Sequence, residues 1–513
     1  MHKDFRLFSI ILFTAISSCS TTRVTNKDDN KIEVVFVQVN DVYEIAPIAG
    51  GKEGGMARVA TLKKQYIREN PNTFLIMAGD FVSPSVYNSL QYLGKRIRGK
   101  QMVEVMNVAG TDLAIFGNHE FDIAENELQE RINESQFDWV SSNTFHKKDG
   151  KTSPFVKQQG TDITSIPDKY IMQLRDADGT MVKIGVIGLT LPFNKADYVI
   201  YTDPLQTAKT LYNQLKDSCD AVIAITHQVM EDDIVLAKEV PGLAAIMGGH
   251  EHDMRYQKVG NVIITKAHAN ARSAYLVKLK INKKKKETTV NTSVKYLNET
   301  IALDSLTNVY VEKWTKIAED NYASLGFDAR KVVLASGEIL DGRESEVRSK
   351  PTNFSQLIVR AIADACPQAD VALMNSGSIR LDDFLPTPIT QFDIIRSLPF
   401  GGGISEADMK GTLLIKVLEA GRKNIGTGGF LINFPAQLDT TNNIWMISGK
   451  AIDPLKTYRV AMTDFLFSGK EANLGFLKKD NADIVKVYET NADTKNPKSD
   501  IRLAVIRYLE KKK

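Results

Sequence analysis

Residues 113–120 read Leu-Ala-Ile-Phe-Gly-Asn-His-Glu, a short apolar run that ends on an amide, an imidazole and a carboxylate. Four other apolar runs also lead into polar residues, at 34–39, 73–78, 221–226 and 243–247. Runs of this length predict strands that are buried on both faces of a sheet. Helix-like segments separate several of these runs, so the sequence predicts an α/β fold.

The residues that follow the five runs are types that bind metals. In an α/β sheet, ligands collect beyond the carboxyl ends of the strands. The pattern therefore predicts that six side chains meet at one edge of one sheet: Asp41, Asp80, Asn118, His227, His250 and His252. Two carboxylates, one amide and three imidazoles can hold two divalent cations. A single buried histidine is more often a core residue, but four of the seven histidines here end strand-like runs, which favours a metal-dependent hydrolase.

Length and composition restrict the class of protein. A chain of 513 residues is long enough for two to four domains of about 150 residues each. Its 43% hydrophobic and 25% charged residues are ordinary for a globular protein. A net charge of +3 is too small to indicate a nucleic-acid polymer as partner, and the basic run 283–286 is predicted to be a hairpin turn.

The N-terminus has the pattern of an export signal. The apolar stretch Leu7–Ile16 is too short to span a bilayer as a helix. The sequence Ile16-Ser17-Ser18-Cys19 that follows resembles a bacterial lipobox, which predicts a signal peptide over 1–19 and a lipid on Cys19. Ser20 after the cysteine resembles an outer-membrane sorting signal, and 20–31 is a polar tether. The alternative is a plain secretory signal with an incidental cysteine.

The rest of the chain divides into two α/β regions. Strands and helices alternate over 32–300, and helical spacing over Leu303–Leu325 predicts a connecting helix within 301–330. The second region covers 331–513. In it, we predict helices over Asn353–Ala365 and Glu406–Arg422.

The combination of Gly117-Asn118-His119-Glu120 with Gly79-Asp80 and His250-x-His252 resembles the calcineurin-like metallophosphoesterases. The whole chain, from about 33 to 476, is similar to the 5′-nucleotidase / UDP-sugar hydrolase family. This resemblance implies a four-layer β-sandwich flanked by helices, joined by a helix to a smaller α/β nucleotide-binding domain.

The resemblance also implies roles for the residues. Asp41 and His252 match ligands of a first metal, Asp80 matches the carboxylate that bridges both metals, and the second metal would be held by Asn118, His227 and His250. His119 and Asp122 match the catalytic dyad. The implied cofactors are two divalent ions, Zn²⁺ or Mn²⁺ foremost, with Mg²⁺ or Co²⁺ as alternatives.

Tyr43 departs from the family pattern. The family has Asp-x-His at the first motif, whereas this chain has Asp41-Val42-Tyr43. A phenol does not replace a neutral nitrogen ligand, so the departure predicts a weaker first site that favours a harder ion such as Mn²⁺ or Mg²⁺. Whether Tyr43 itself binds metal is open at this point.

The second region carries residues that resemble the family's substrate site. Residues 375–380 match its Asn-x-Gly-x-x-Arg motif, which implies that Asn375 and Arg380, with Arg348, bind ribose and phosphate. Phe400 and Phe465 lie in segments that resemble those supplying aromatic rings around the base. Relatives often carry Gly-Gly-Asp-Gly-Phe downstream, but residues 469–476 differ, and either Glu471 or Asn473 is the candidate for the missing aspartate.

These features predict an exported phosphohydrolase that releases phosphate from nucleotides by two-metal activation of water. UDP-sugar hydrolysis, cyclic-nucleotide phosphodiesterase activity and other phosphoester hydrolysis are alternatives of the same class. Hydrolysis of a sulfur compound is a further alternative. A non-catalytic nucleotide-binding lipoprotein is the alternative of another class. The sequence leaves the preferred substrate, the metal identity and the oligomeric state open.

Overall fold

The computed structural model describes residues 28–193, 196–488, 493 and 495–512. The predicted signal peptide, Cys19 and the first part of the tether lie outside the described residues. Within the part of the chain that is described, no helix is both long and apolar enough to cross a membrane.

The first region contains two six-stranded sheets. In spatial order, the first sheet consists of Glu287–Tyr296, Ser273–Asn282, Lys31–Val39, Thr73–Ala78, Leu113–Ile115 and Asp138–Trp139. The second consists of Tyr170–Arg175, Met181–Thr190, Ala221–His227, Ala245–Gly248, Val262–Lys266 and Arg255–Val259. The central strands of each sheet pair in parallel, so their carboxyl ends meet at one edge.

The two sheets pack face to face with helices outside them. Successive residues of a strand point to opposite faces: Phe36 and Ile76 lie between the sheets, whereas Val37 and Leu75 face outward. The outer face of the first sheet is covered by helices Met56–Glu69 and Lys100–Ala109, and that of the second by Pro204–Leu215 and Met230–Glu239. The order helix, sheet, sheet, helix confirms the predicted four-layer sandwich.

One sequence expectation about the site is wrong. We expected the ligand-type residues at one edge of one sheet, but Asp41, Asp80 and Asn118 follow strands of the first sheet, and His227 and His250 belong to the second. A strand that is buried on both faces has the same apolar sequence pattern in either sheet. Pairing with distant segments decides which sheet it joins, so the pattern does not indicate the sheet. The two sheet edges lie side by side, so the residues still converge.

A long helix joins the two regions. It spans Ser305–Ser324 and begins with the side chain of Asp304, which accepts a hydrogen bond from the backbone N–H of Thr307. Trp314 is fully buried, and its Nε1 donates to Glu104 Oε2 at 2.8 Å in the helix Lys100–Ala109. This helix therefore packs against the first region, and the apolar cluster around it continues into the second.

The second region is built on a five-stranded mixed sheet. Its strands, in spatial order, are Leu431–Phe434, Val371–Asn375, Thr457–Thr463, Ile404–Lys410 and Ile484–Val487. The helices of this region include Asn353–Ala365, Gln391–Ser397, Gly411–Lys423 and Ile501–Glu510.

The predicted helix Glu406–Arg422 is wrong in its first third. Residues Ile404–Lys410 form a strand that pairs antiparallel with Thr457–Thr463, and the helix begins only at Gly411. Ala407 and Met409 of the strand pack in the same apolar cluster as Leu413 of the helix. The spacing of apolar residues therefore continues from the strand into the helix, and it does not indicate where the strand ends.

Replacement of Phe116 by alanine tests the packing beneath the polar strand ends. Phe116 is fully buried, and its ring centroid lies 4.8 to 5.4 Å from those of Trp139, Phe155 and Phe121. We expect Phe116→Ala to lower the free energy of unfolding by about 3–5 kcal/mol, because a large cavity replaces the ring. Chemical denaturation measures this change. The control Phe193→Ala, at a ring that is 56% exposed, should stay within about 0.5 kcal/mol, and equal effects of the two variants would contradict the packing described.

Candidate metal centre and nucleotide cavity

Three of the predicted metal ligands form a buried cluster. The ligand atoms of Asp41, Asp80 and His227 all lie within 4.8 Å of one another, and all three side chains are buried. His227 Nε2 lies 3.0 Å from Asp80 Oδ2 and 3.8 Å from Asp41 Oδ1. Strand ends from both sheets therefore deliver two carboxylates and one imidazole to the same point.

The other three predicted ligands lie around this cluster. His252 Nε2 is 3.3 Å from Asp41 Oδ1. The His250 ring lies 5.4 Å from the His227 ring between centroids, and its backbone N–H donates to Asp41 Oδ2 at 2.9 Å. Asn118 is buried, and the backbone N–H of the following His119 donates to Asp80 Oδ1 at 2.8 Å.

Two observations fit a metal ion at this place. Asn118 Oδ1 is buried and has no hydrogen-bond partner among the described residues, as expected of an oxygen that serves as a metal ligand. His227 Nδ1 lies 2.8 Å from the carbonyl oxygen of Ala78 and donates to it, which leaves Nε2 to face the two carboxylates. The donor set of carboxylate, amide and imidazole suits Zn²⁺ and Mn²⁺.

Burial and opposite charges shift the pKa values of these groups strongly. Burial raises the pKa of Asp80, but the charges of His227 and His119 outweigh it and hold that pKa below its usual value. Burial lowers the pKa of His227, but Asp80 and Asp41 raise it to about 9. Burial together with the charge of His227 lowers the pKa of His250 to about 4. The cluster thus keeps its carboxylates ionised.

The backbone at the cluster adopts a rare conformation. Asp41, Asp80, His250 and His252 have φ angles of 53°, 55°, 93° and 59°. Non-glycine residues in this region of φ cluster at functional sites, where the surrounding structure enforces the strain. Gly117 allows close approach, because a Cβ atom there would lie 2.1 Å from Asp80 Oδ1.

Glu120 organises the loops that carry the cluster, a role that its place in the sequence does not predict. Its carboxylate is buried and accepts hydrogen bonds from the backbone N–H groups of Gly117, Asp80, Phe81 and Val82 at 2.5 to 3.0 Å. Burial and the charge of Asp80 raise its pKa to about 7. The sequence shows that Glu120 belongs to the motif at 117–120. It does not show the contact with the loop at 80–82, because the two segments are distant in sequence.

His119 and Asp122, the predicted dyad, are in contact. His119 Nδ1 lies 2.6 Å from Asp122 Oδ2. Burial lowers the pKa of His119, but Asp80 and Asp122 raise it to about 9. Asp122 thereby orients the imidazole and favours its charged form.

Tyr43 lies inside the cluster. Its hydroxyl is 2.8 Å from His252 Nε2, 3.3 Å from Asp41 Oδ1 and 3.5 Å from Asp80 Oδ2. Burial, with the charges of Asp41 and Asp80, raises its pKa well above the usual value. The residue that departs from the family pattern therefore places an oxygen beside three of the predicted ligands.

Four of the five predicted substrate residues meet in one cavity of about 690 Å³. Asn375, Arg380, Phe400 and Phe465 all line it. Phe400 is 64% exposed and Phe465 is 45% exposed, so both rings are accessible to a ligand. The guanidinium carbon of Arg380 lies 5.4 Å from the Phe400 ring centroid, and Arg380 Nε has no hydrogen-bond partner in the described ranges.

Arg348, the fifth predicted substrate residue, lies elsewhere. It lines a separate cavity of about 760 Å³ together with His250 and His252 of the first region and Asp382 of the second. Arg348 also forms an ion pair with Glu344. Arg348 therefore lies on the side of the predicted metal ligands, whereas Phe400 and Phe465 lie in the other cavity.

The structure separates the two candidates for ribose recognition. Glu471 lines the cavity of Phe400, and its Oε2 accepts a hydrogen bond from Asn375 Nδ2 at 2.9 Å. Asn473 instead donates to Asn424 Oδ1 at 2.7 Å and is not among the residues that line this cavity. Of the two, only Glu471 lines this cavity.

Comparison with known proteins identifies both regions. Residues 34–254 match the calcineurin-like phosphoesterase family, and residues 332–478 match the 5′-nucleotidase C-terminal domain, so the two together cover more than half of the chain.

Among curated proteins, the trifunctional nucleotide phosphoesterase protein YfkN of Bacillus subtilis is 26% identical over 465 residues, which cover 80% of this chain and 31% of YfkN. The chain thus spans about a third of that relative. Protein UshA of Yersinia enterocolitica is 25% identical over 539 residues, which cover 90% of this chain and 91% of UshA.

Among solved structures, that of a 5′-nucleotidase precursor from Thermus thermophilus superimposes with a TM-score of 0.66 at 21% identity. The match covers 94% of this chain and 97% of that one and shows a shared fold. A phosphoesterase domain followed by a nucleotidase C-terminal domain, with relatives that share both, identifies the chain as a phosphoesterase hydrolase that belongs to the 5′-nucleotidase family.

Proposed function

We propose that this protein releases phosphate from nucleotides, as a 5′-nucleotidase does, and that it uses two divalent metal ions. The observation that carries the proposal is the buried cluster of Asp41, Asp80 and His227. Next to the residue whose backbone N–H donates to Asp80, the buried Asn118 Oδ1 has no hydrogen-bond partner among the described residues. The accessible rings of Phe400 and Phe465, in a cavity with Arg380, support a nucleotide as substrate.

We assign the six predicted ligands to two metal positions. Asp41 and His252 would hold the first ion, Asp80 would bridge the two, and the second would be held by Asn118, His227 and His250. When bound, two such ions activate water as a nucleophile and neutralise charge on the phosphoryl group. Zn²⁺ and Mn²⁺ are the proposed metals, and the Tyr43 oxygen beside Asp41 favours the harder Mn²⁺ or Mg²⁺ at the first position.

His119 is the proposed catalytic residue of the chain itself. Its Nδ1 is engaged by Asp122, so its Nε2 is left to donate a hydrogen bond to a phosphoryl oxygen. Such a donor stabilises the charge that develops on the equatorial oxygens of the phosphoryl group. Asp122 serves as its positioning residue.

The nucleotide would bind in the cavity of the second region. Stacking of the base on Phe400 and Phe465 is worth about 1–3 kcal/mol per base and tolerates different bases. Arg380, Asn375 and Glu471 would bind the ribose hydroxyls. Arg348 would meet the phosphate on the metal side.

The aromatic cavity shares no lining residue with the cavity at His250 and His252, whereas Arg380 also lines a small cavity that contains Tyr43. We propose that a reorientation of the second region, near the ends of the helix Ser305–Ser324, brings the bound nucleotide to the metal centre. We propose the domain boundaries at 32–300, 301–330 and 331–513.

The sequence before residue 28 supports export. We propose that residues 1–19 are a lipoprotein signal segment that is cut before Cys19, and that the lipid on Cys19 anchors the protein to the bacterial outer membrane. The tether from residue 20 would end at Asn30, because Lys31 begins the first strand. The apolar stretch Leu7–Ile16 and the sequence leading to Cys19 carry this proposal.

Replacement of the bridging carboxylate tests the metal centre. Asp80→Asn keeps the size of the side chain but removes its charge. We expect release of phosphate from AMP with added Mn²⁺ or Zn²⁺ to fall by more than about 100-fold, above the range for loss of a residue that only orients a ligand. UDP-glucose and a chromogenic phosphate ester complete the substrate panel.

Asp217→Asn, at an exposed aspartate, is the matched control and should keep full activity. Retention of most activity by Asp80→Asn would exclude the two-metal site. Failure of the unmodified protein to release phosphate from any substrate would instead favour a non-catalytic binding protein.

Replacement of Arg380 tests the nucleotide cavity. Arg380→Ala should raise KM for AMP by about 10-fold or more, since a hydrogen bond to a charged group is worth about 1.5–3 kcal/mol. It should leave kcat/KM for a small aryl phosphate nearly unchanged. Arg360→Ala removes another arginine that lies over an aromatic ring, Phe434, and should change neither value. Equal loss on both substrates after Arg380→Ala would contradict the assignment.

Replacement of Cys19 tests the anchor. In a bacterial host, Cys19→Ser should abolish incorporation of labelled palmitate and move the protein from the membrane fraction to the soluble fraction. The Cys219→Ser variant, at a partly buried free thiol of the first region, should behave like the unmodified protein. Membrane retention of the Cys19→Ser protein without label would leave the anchor proposal without support.

A further inference from the structure

Asp382 of the second region contacts a predicted metal ligand of the first. Its Oδ2 lies 2.5 Å from Nδ1 of His252. Both side chains are largely shielded, with 25% of Asp382 and 14% of His252 exposed. The two residues lie 130 positions apart in sequence and in different family domains, at 34–254 and 332–478.

The carboxylate of Asp382 is held in place from its own side. Its other oxygen, Oδ1, accepts a hydrogen bond from the backbone N–H of Glu344 at 2.5 Å. Asp382 has a φ of 42°, a backbone conformation that is uncommon for non-glycine residues. Each oxygen therefore has a defined partner, and the direction of the carboxylate is fixed.

The contact determines which nitrogen of His252 faces the metal centre. Nδ1 donates its hydrogen to Asp382, so Nε2 is the nitrogen that faces Asp41 Oδ1 at 3.3 Å and the Tyr43 hydroxyl at 2.8 Å. A carboxylate on the far nitrogen of a ligand histidine fixes the ring and makes the near nitrogen a stronger donor to the metal.

The neighbouring Asp383 shows what an ordinary contact between the two regions looks like. Asp383 Oδ2 forms an ion pair with Arg272 NH1 at 3.1 Å. Arg272 is not a predicted metal ligand, whereas the partner of Asp382, His252, is one. The two adjacent aspartates thus differ in partner, although both connect the same two regions.

We propose that Asp382 is a positioning residue of the first metal site, supplied by the second region and acting through His252. The inference rests on the proposed metal centre. It means that the first site is complete only when the second region is docked as it is in this structure.

The test measures metal binding without substrate. The full chain, stripped of metal, is titrated with Mn²⁺ by calorimetry. We expect two sites in the unmodified protein and a 10- to 100-fold weaker Kd at one of them in Asp382→Ala, the range for loss of an outer-sphere partner. Asp382→Asn keeps an acceptor oxygen for Nδ1–H and should lose less affinity. Asp383→Ala should bind Mn²⁺ like the unmodified protein.

A second set of variants shows whether Asp382 acts through His252. His252→Ala should weaken the same site, and the addition of Asp382→Ala to it should cause no further loss. Thermal unfolding of each variant shows whether it is folded.

If His252→Ala leaves both sites unchanged, the proposed metal centre fails, and with it the inference. If His252→Ala weakens a site but Asp382→Ala does not, only the inference is overturned. A further loss in the double variant, or an equal loss in Asp383→Ala, would also overturn it, because the effect would then come from docking of the two regions in general.

Discussion

The structure depends on the burial of two aspartates beside one another. Asp41 and Asp80 are almost fully shielded from solvent, and both face the same nitrogen of His227. Two carboxylates taken out of water repel each other and lose hydration, which costs several kcal/mol per ion unless positive charge and hydrogen bonds compensate. Imidazoles and backbone N–H groups supply part of that compensation here. Bound divalent metal would supply the rest, which is the physical reason to regard this cluster as a metal centre and not as a structural ion pair.

That constraint also explains the loops that surround the cluster. Asp41, Asp80, His250 and His252 have positive φ, and Gly117 lets the backbone come close to Asp80. Glu120 receives four backbone N–H groups from two loops and so holds them together without competing for the cluster. Burial of a carboxylate costs less free energy when backbone N–H groups donate hydrogen bonds to it than when they do not. The unusual backbone conformations and the hydrogen bonds to Glu120 occur at the same place, because both orient the side chains of the predicted ligands.

The part of this arrangement that is local in sequence could be predicted. The apolar runs fix the strands, and the residues after them are the ones that converge, so Asp41, Asp80 and His227 followed from the pattern alone. Which sheet each strand joins could not be predicted, because pairing is decided by distant segments. For the same reason the contact of Asp382 with His252 had no local signal. Glu471 was one of two candidates, and only the three-dimensional position of Asn375 distinguishes it from Asn473.

Tyr43 would change the chemistry of the proposed first metal position without leaving a gap in it. The phenol oxygen lies within 3.5 Å of Asp41, Asp80 and His252, so the number of polar atoms around the position is kept while one nitrogen is exchanged for an oxygen. Oxygen donors favour harder ions, and a neutral phenol is a weaker ligand than an imidazole. Retention of the first ion would then rely more on His252. A carboxylate behind a ligand histidine strengthens it as a donor, so Tyr43 and Asp382 would act on the same proposed metal position in opposite directions, one from each region of the chain.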